Sequence, residues 1–70
     1  MKYVVLIEKS ETGFAAYSPD LPGCVATGAS PEQVAARMRT AVALHIEGLK
    51  AAGERVPRPE TTAICVEVAS

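Results

Sequence analysis

The chain has 70 residues, enough for one domain, and its net charge of −1 comes from seven basic and eight acidic residues. It contains no basic tract of the kind that follows a phosphate backbone, so direct nucleic-acid binding is not expected. The apolar run near its start is far shorter than the ~20 residues that cross a membrane. We expect a single cytoplasmic domain over residues 1–70, with reduced Cys24 and Cys65 serving as small buried hydrophobes.

The first part of the chain predicts three short strands. Residues 3–8 are an apolar run rich in valine and isoleucine, and residues 10–13 read as a hairpin loop that leads into a second strand over 14–18. Pro19 ends that strand because proline has no N–H to donate. The turn over 19–23 holds two prolines and Asp20, which can bond its own downstream backbone. A third strand over 24–28 completes an antiparallel meander.

A helix follows, and its start and end are both marked. Ser30 is a good N-cap, Pro31 suits the first helical position, and Gln33 stands at the capping-box position. The helix should run to about residue 52, where Gly53 supplies the left-handed turn that stops it. Gly48 lies inside the helix and is expected to allow close approach of helix and sheet. One face carries an apolar stripe made of Val34, Met38, Ala41, Val42, His45 and Leu49.

After the helix, residues 54–60 form a proline-rich connector, and residues 61–68 predict a fourth strand. In that strand Ile64, Val66 and Val68 alternate onto one face, while Cys65 and Glu67 take the other. The predicted class is therefore α+β in the order β-β-β-α-β. It is an antiparallel three-stranded meander plus a fourth strand after one crossover helix.

The residues that could carry chemistry do not form a predicted active site. His45 lies on the apolar stripe and is expected to pack there, rather than to act as a base or a metal ligand. Asp20 is a lone carboxylate, whereas metal-dependent cleavage of phosphodiesters uses several converging acids. No glycine-rich phosphate loop or serine nucleophile elbow is present. We expect no enzyme activity, no metal and no cofactor. The alternatives are a divergent metal-dependent nuclease with Asp20 as one ligand, or a structural protein whose partner is itself.

Three stretches taken together resemble one known family. They are Tyr-Ser-Pro-Asp-Leu-Pro-Gly-Cys at 17–24, Thr-Gly-Ala-Ser-Pro-Glu-Gln at 27–33, and Leu-His-Ile-Glu-Gly-Leu at 44–49. In this order and spacing they resemble the HicB-like antitoxin family, and the proline-bearing link at 53–59 extends the match over nearly the whole chain.

The resemblance implies a truncated ribonuclease-H-like fold with strand four beside strand one. It also implies an antitoxin that binds a small HicA-type RNA-cleaving toxin and covers its catalytic surface. Many family members add a C-terminal DNA-binding segment. This sequence stops directly after the fourth predicted strand, so operator binding is not expected.

Two surfaces are predicted to bind other chains. The helix and the 19–23 turn suggest a toxin-binding surface that contains Asp20, Leu21, Arg37 and Glu47. Strand one is apolar on both faces, and a single helix can cover only one of them. We therefore predict a homodimer or higher homo-oligomer whose interface contains Val4, Leu6 and Cys65.

Overall fold

The structure, a computed structural model, describes residues 1–69 and contains one small sheet and one helix. The strands are β1 (Leu6–Ser10), β2 (Gly13–Tyr17) and β3 (Val25–Gly28), and the helix α1 spans Pro31–Ala51. The strands lie in the order β1-β2-β3, and both neighbouring pairs are antiparallel. The predicted meander followed by a long helix is confirmed. Strand β1 starts three residues later than predicted because β2 ends at Tyr17, opposite Leu6.

The β1–β2 hairpin closes through a glycine. Ser10 lies opposite Gly13, so only Glu11 and Thr12 form the turn. Gly13 has φ +154°, and a Cβ at this position would come within 2.5 Å of the Gly28 carbonyl oxygen on β3. The turn and the close approach of β3 thus both require a residue without a side chain.

The helix begins and ends where the sequence indicates. The Ser30 side chain accepts a hydrogen bond from the Gln33 backbone amide at 3.1 Å, as an N-cap does. The Gln33 side chain reaches back to the Ala29 amide at 2.6 Å, one residue before the expected capping-box partner. At the other end Gly53 has φ +72°, the left-handed conformation that stops the helix.

The helix packs on one face of the sheet, mostly over β3 and β2. The core between them is small and is made of Ala16, Leu21, Cys24, Val34 and Met38. Val34 and Met38 confirm the predicted stripe, with Ala41 and Val42 packed beside them.

The last turns of the helix extend past the sheet. A 21-residue helix is ~31 Å long, whereas a five-residue strand spans ~17 Å. His45 and Leu49 are consequently half-buried, although both belong to the predicted stripe. Gly48 was expected to allow close approach of helix and sheet, and this is wrong: a Cβ there would meet no atom within 4 Å.

The predicted fourth strand is not formed. Within residues 1–69 the chain has no helix or strand after Ala51, and Ile64, Val66 and Val68 are 80%, 71% and 76% exposed. Cys65 is exposed as well, so the expectation that both thiols are buried holds only for Cys24. The physical reason is that a strand needs a partner, and residues 61–68 lie against no other strand of this chain.

Candidate partner-binding surface

The carboxylate of Asp20 holds the segment that follows the helix. Its Oδ2 accepts hydrogen bonds from the backbone amides of Glu60 at 3.0 Å and Thr61 at 2.9 Å, and its Oδ1 accepts one from the Thr61 hydroxyl at 2.9 Å. The bond from the Thr61 amide is the main cause that lowers the pKa of Asp20 below its usual value of 3.8. Asp20 therefore acts as an anchor between the 19–23 turn and the connector.

The expectation that Asp20 bonds its own downstream backbone is wrong, because its carboxylate bonds residues 60 and 61 instead. The turn is closed by backbone hydrogen bonds. The Leu21 amide donates to the Ser18 carbonyl, and the Cys24 amide donates to the Leu21 carbonyl, both at 3.1 Å. No local pattern indicates the true partner, because Thr61 lies 41 residues away along the chain.

A second anchor lies at the start of the chain. The Tyr3 hydroxyl donates a hydrogen bond of 2.6 Å to the carbonyl oxygen of Pro57. The connector therefore passes Tyr3, three residues before β1, and then reaches Asp20, three residues after β2.

Leu21, named in the predicted toxin-binding surface, is 1% exposed and belongs to the core. It is therefore not available to a partner. The exposed residues of the same turn are Pro19, Pro22 and Gly23. Burial of Leu21 fixes the turn on the core and presents these three residues to solvent.

The outward side of the helix carries a line of exposed residues at helical spacing, which we call the helix stripe: Arg37, Thr40, Leu44 and Glu47. Leu44 is 61% exposed, although it is a large apolar side chain. Arg37 is held in place because its Nη1 donates to the Thr27 carbonyl on β3 at 2.8 Å. Sequence reasoning named Arg37 and Glu47 and missed Leu44. The signal that could have identified Leu44 is its apolar side chain at a helix position outside the predicted buried stripe.

The sheet face opposite the helix carries a second apolar group. Leu6, Tyr17 and Val25 lie opposite one another across the three strands and therefore share this face. Tyr17 is 39% exposed and Val25 65% exposed. Val4, two residues before Leu6, is half-buried.

The titratable groups form no metal site in the part of the chain that the structure describes. Among residues 1–69 no group of three or more His, Cys, Asp and Glu side chains converges. Burial raises the pKa of the Cys24 thiol, which disfavours the reactive thiolate. The helix α1 is not long and apolar enough to cross a membrane.

Comparisons with known proteins agree with this geometry. The family model described as a HicB-like antitoxin of bacterial toxin–antitoxin systems matches residues 3–69. The UPF0150 protein Ta0767 of Thermoplasma acidophilum is 36% identical over 67 residues, which is 94% of this chain and 97% of the relative. An uncharacterised 14.9 kDa protein of Haemophilus phage HP1 is 33% identical over 58 residues, 83% of this chain but only 44% of the phage protein.

A solved HicA3 and HicB3 toxin–antitoxin complex contains a similar chain. The TM-score is 0.74 at 33% identity, over 86% of this chain and 70% of that one. With a family model that matches nearly every residue and a solved relative of the same fold, the chain belongs to the HicB-like antitoxin family.

Proposed function

We propose that this protein is an antitoxin that binds a small HicA-type RNA-cleaving toxin and neutralises it by covering its active surface. It acts in the cytoplasm by binding rather than by catalysis. The observation that carries the proposal is the likeness, at 33% identity and a TM-score of 0.74, to a chain from a toxin–antitoxin complex. Membership of the HicB-like antitoxin family supports the same role.

The helix stripe is the surface that we assign to the toxin. An exposed leucine between an arginine and a glutamate offers an apolar centre with a charged rim, the usual arrangement of a protein-binding patch. The Arg37–Thr27 hydrogen bond ties the stripe to the sheet. Because the Arg37 side chain is already ordered, toxin binding costs less conformational entropy.

We assign the exposed part of the 19–23 turn to the same binding surface. The turn leads into β3, and α1 runs back over β3, so the turn and the C-terminal half of the helix lie at the same end of the domain. Asp20 contributes through the shape of the turn, because both of its carboxylate oxygens are occupied by residues 60 and 61.

The test compares two exposed apolar side chains that receive the same charge. Leu44→Asp lies on the helix stripe, and Val25→Asp lies on the sheet face away from the helix, with similar exposures of 61% and 65%. Each variant is mixed with a purified HicA-type toxin, and the cleavage of a labelled RNA is measured.

We expect wild type and Val25→Asp to stop cleavage at equal concentrations, and Leu44→Asp to require at least ~10-fold more protein. Cleavage unaffected by wild-type protein would refute the antitoxin role. Loss of inhibition in Val25→Asp alone would indicate that the toxin binds the sheet face and not the helix stripe. The protein incubated alone with RNA and Mg²⁺ tests the nuclease alternative in the same assay.

We also propose that the chain associates with itself. Three apolar side chains near its end are more than 70% exposed, and a small domain has little core of its own to stabilise it.

A further inference from the structure

An apolar groove runs along the sheet edge beneath the helix. It has a volume of about 400 Å³. One wall is formed by the alternate residues Tyr3, Val5 and Ile7, and the other by Ala35, Met38 and Val42 of the helix. The groove exists because α1 packs mainly over β3 and β2 and leaves the β1 side partly uncovered.

The same edge of the sheet is free. β1 pairs with β2 on one side, and within residues 1–69 no strand pairs with its other side. Residues 1–5, which continue β1 toward the start of the chain, are not paired either. The edge therefore offers backbone hydrogen-bonding groups directly beside an apolar groove.

The segment 62–69, which we call the C-terminal arm, has the pattern that such an edge accepts. Its apolar residues Ile64, Val66 and Val68 alternate with Cys65 and Glu67, as in a strand with one buried face. All three apolar side chains are exposed. The radius of gyration is 13.6 Å, against about 11 Å for a compact chain of this length, and the longest extent is 49 Å.

The anchors direct the arm away from the groove of its own chain. The connector passes Tyr3, which precedes β1, at the Tyr3–Pro57 hydrogen bond and is then fixed to Asp20, past the end of β2. The arm thus starts on the β2 side, with β1 between it and the free edge.

We propose that the C-terminal arm of one copy adds as a strand to the free edge of β1 in a second copy, and that the exchange is reciprocal. Ile64, Val66 and Val68 then fill the groove under the partner's helix. Cys65 and Glu67 lie on the other face, beside Val4 and Leu6. The partner copy supplies the strand and the apolar side chains that each domain lacks.

The first experiment measures mass by light scattering coupled to size exclusion, with circular dichroism as a check on folding. Wild type should have twice the 7.3 kDa mass of the chain. Val66→Asp places a charge in the groove and should give a folded monomer. Val25→Asp makes the same substitution at an exposed side chain on β3, away from the arm and the groove, and should remain a dimer. A folded wild-type monomer, or a dimer unaffected by Val66→Asp, would overturn the proposal.

The second experiment identifies the contact even where Val66→Asp fails to fold. Two chains that both carry Cys65→Ser are co-expressed, one with Val66→Cys and the other with Arg39→Cys, since Arg39 also lines the groove. A short bis-maleimide should join them. The matched control replaces Arg39→Cys by Thr40→Cys, an exposed neighbour on the far side of the helix.

Cross-linked heterodimers with Arg39→Cys and few with Thr40→Cys support arm exchange. Equal yields, or none, contradict it. A single chain that carries both Val66→Cys and Arg39→Cys, again with Cys65→Ser, completes the experiment. A cross-link within a monomer of that chain would show that the arm folds back on its own sheet, which also overturns the proposal.

Discussion

Asp20 shows how a single side chain can have a role that its sequence neighbourhood does not reveal. In the turn it resembles a residue that stabilises its own loop, yet its three hydrogen bonds go to Glu60 and Thr61. A carboxylate that accepts two backbone amides favours its ionised form. The anchor therefore depends on the charge of one residue.

The pH dependence of this anchor follows from the lowered pKa of Asp20. Because the folded pKa lies below the usual 3.8, the anchor stabilises the protein fully above that value and is lost as pH falls through the folded pKa. We expect the NMR shift of the Thr61 amide to titrate with a midpoint below 3.8. Asp20→Asn should abolish the titration, and a midpoint above 3.8 would contradict the hydrogen-bonding role.

Substitution of a buried and an exposed leucine tests where the core of the domain lies. Leu21→Ala removes a side chain that is 1% exposed and should lower the free energy of unfolding by ~2–5 kcal/mol. Leu44→Ala makes the same chemical change at a side chain 61% exposed and should stay within ~0.5 kcal/mol of wild type. Urea titration measures both. Equal losses would show that Leu44 is covered in the folded protein.

At the scale of single elements, the helix has strong end signals and a weak point between them. Ser30 caps its start and Gly53 ends it, but Gly48 lies in its exposed C-terminal half without a contact that requires glycine. Glycine there costs stability because its backbone is freer in the unfolded chain.

Gly48→Ala should therefore raise the free energy of unfolding by about 1 kcal/mol, since the new methyl group meets no atom within 4 Å. Gly13→Ala is the contrasting change. Its methyl group would collide with the Gly28 carbonyl at a backbone φ of +154°, and we expect a loss of about 1–3 kcal/mol. Thermal melts of both variants give the comparison. Destabilisation by Gly48→Ala would indicate a close contact at that position.

At the scale of the whole molecule, the domain leaves apolar surface uncovered. One helix covers part of a three-stranded sheet, a groove remains beside β1, and the apolar arm lies outside both. Arm exchange would use the arm of one copy to fill the groove of another, so folding and association would be linked.

Linked folding and association make thermal stability depend on protein concentration. Each tenfold rise in concentration should raise the Tm of wild type by roughly 3–5 °C, from the size scaling of unfolding entropy. Val66→Asp should melt at a Tm that does not change with concentration. Melts over a hundredfold range of concentration are sufficient, and a constant wild-type Tm would argue against a folded dimer.

The sequence by itself determined the parts that depend on neighbouring residues. The β1–β2 hairpin, the Ser30 cap, the Gly53 stop and the buried Val34 and Met38 all follow from interactions that span only a few residues. The same local motifs carried the resemblance to the HicB-like antitoxins, which the family match confirms.

The tertiary structure decided what depends on residues far apart in the chain. The sequence pattern of the arm predicts a strand, but a strand forms only where a partner edge is available, and the anchors at Tyr3 and Asp20 lead the arm away from the free edge of its own sheet. Burial of Leu21 and exposure of Leu44 likewise depend on where the helix meets the sheet. Local propensity is encoded in consecutive residues, whereas the pairing of distant segments is set by the packing of the whole molecule.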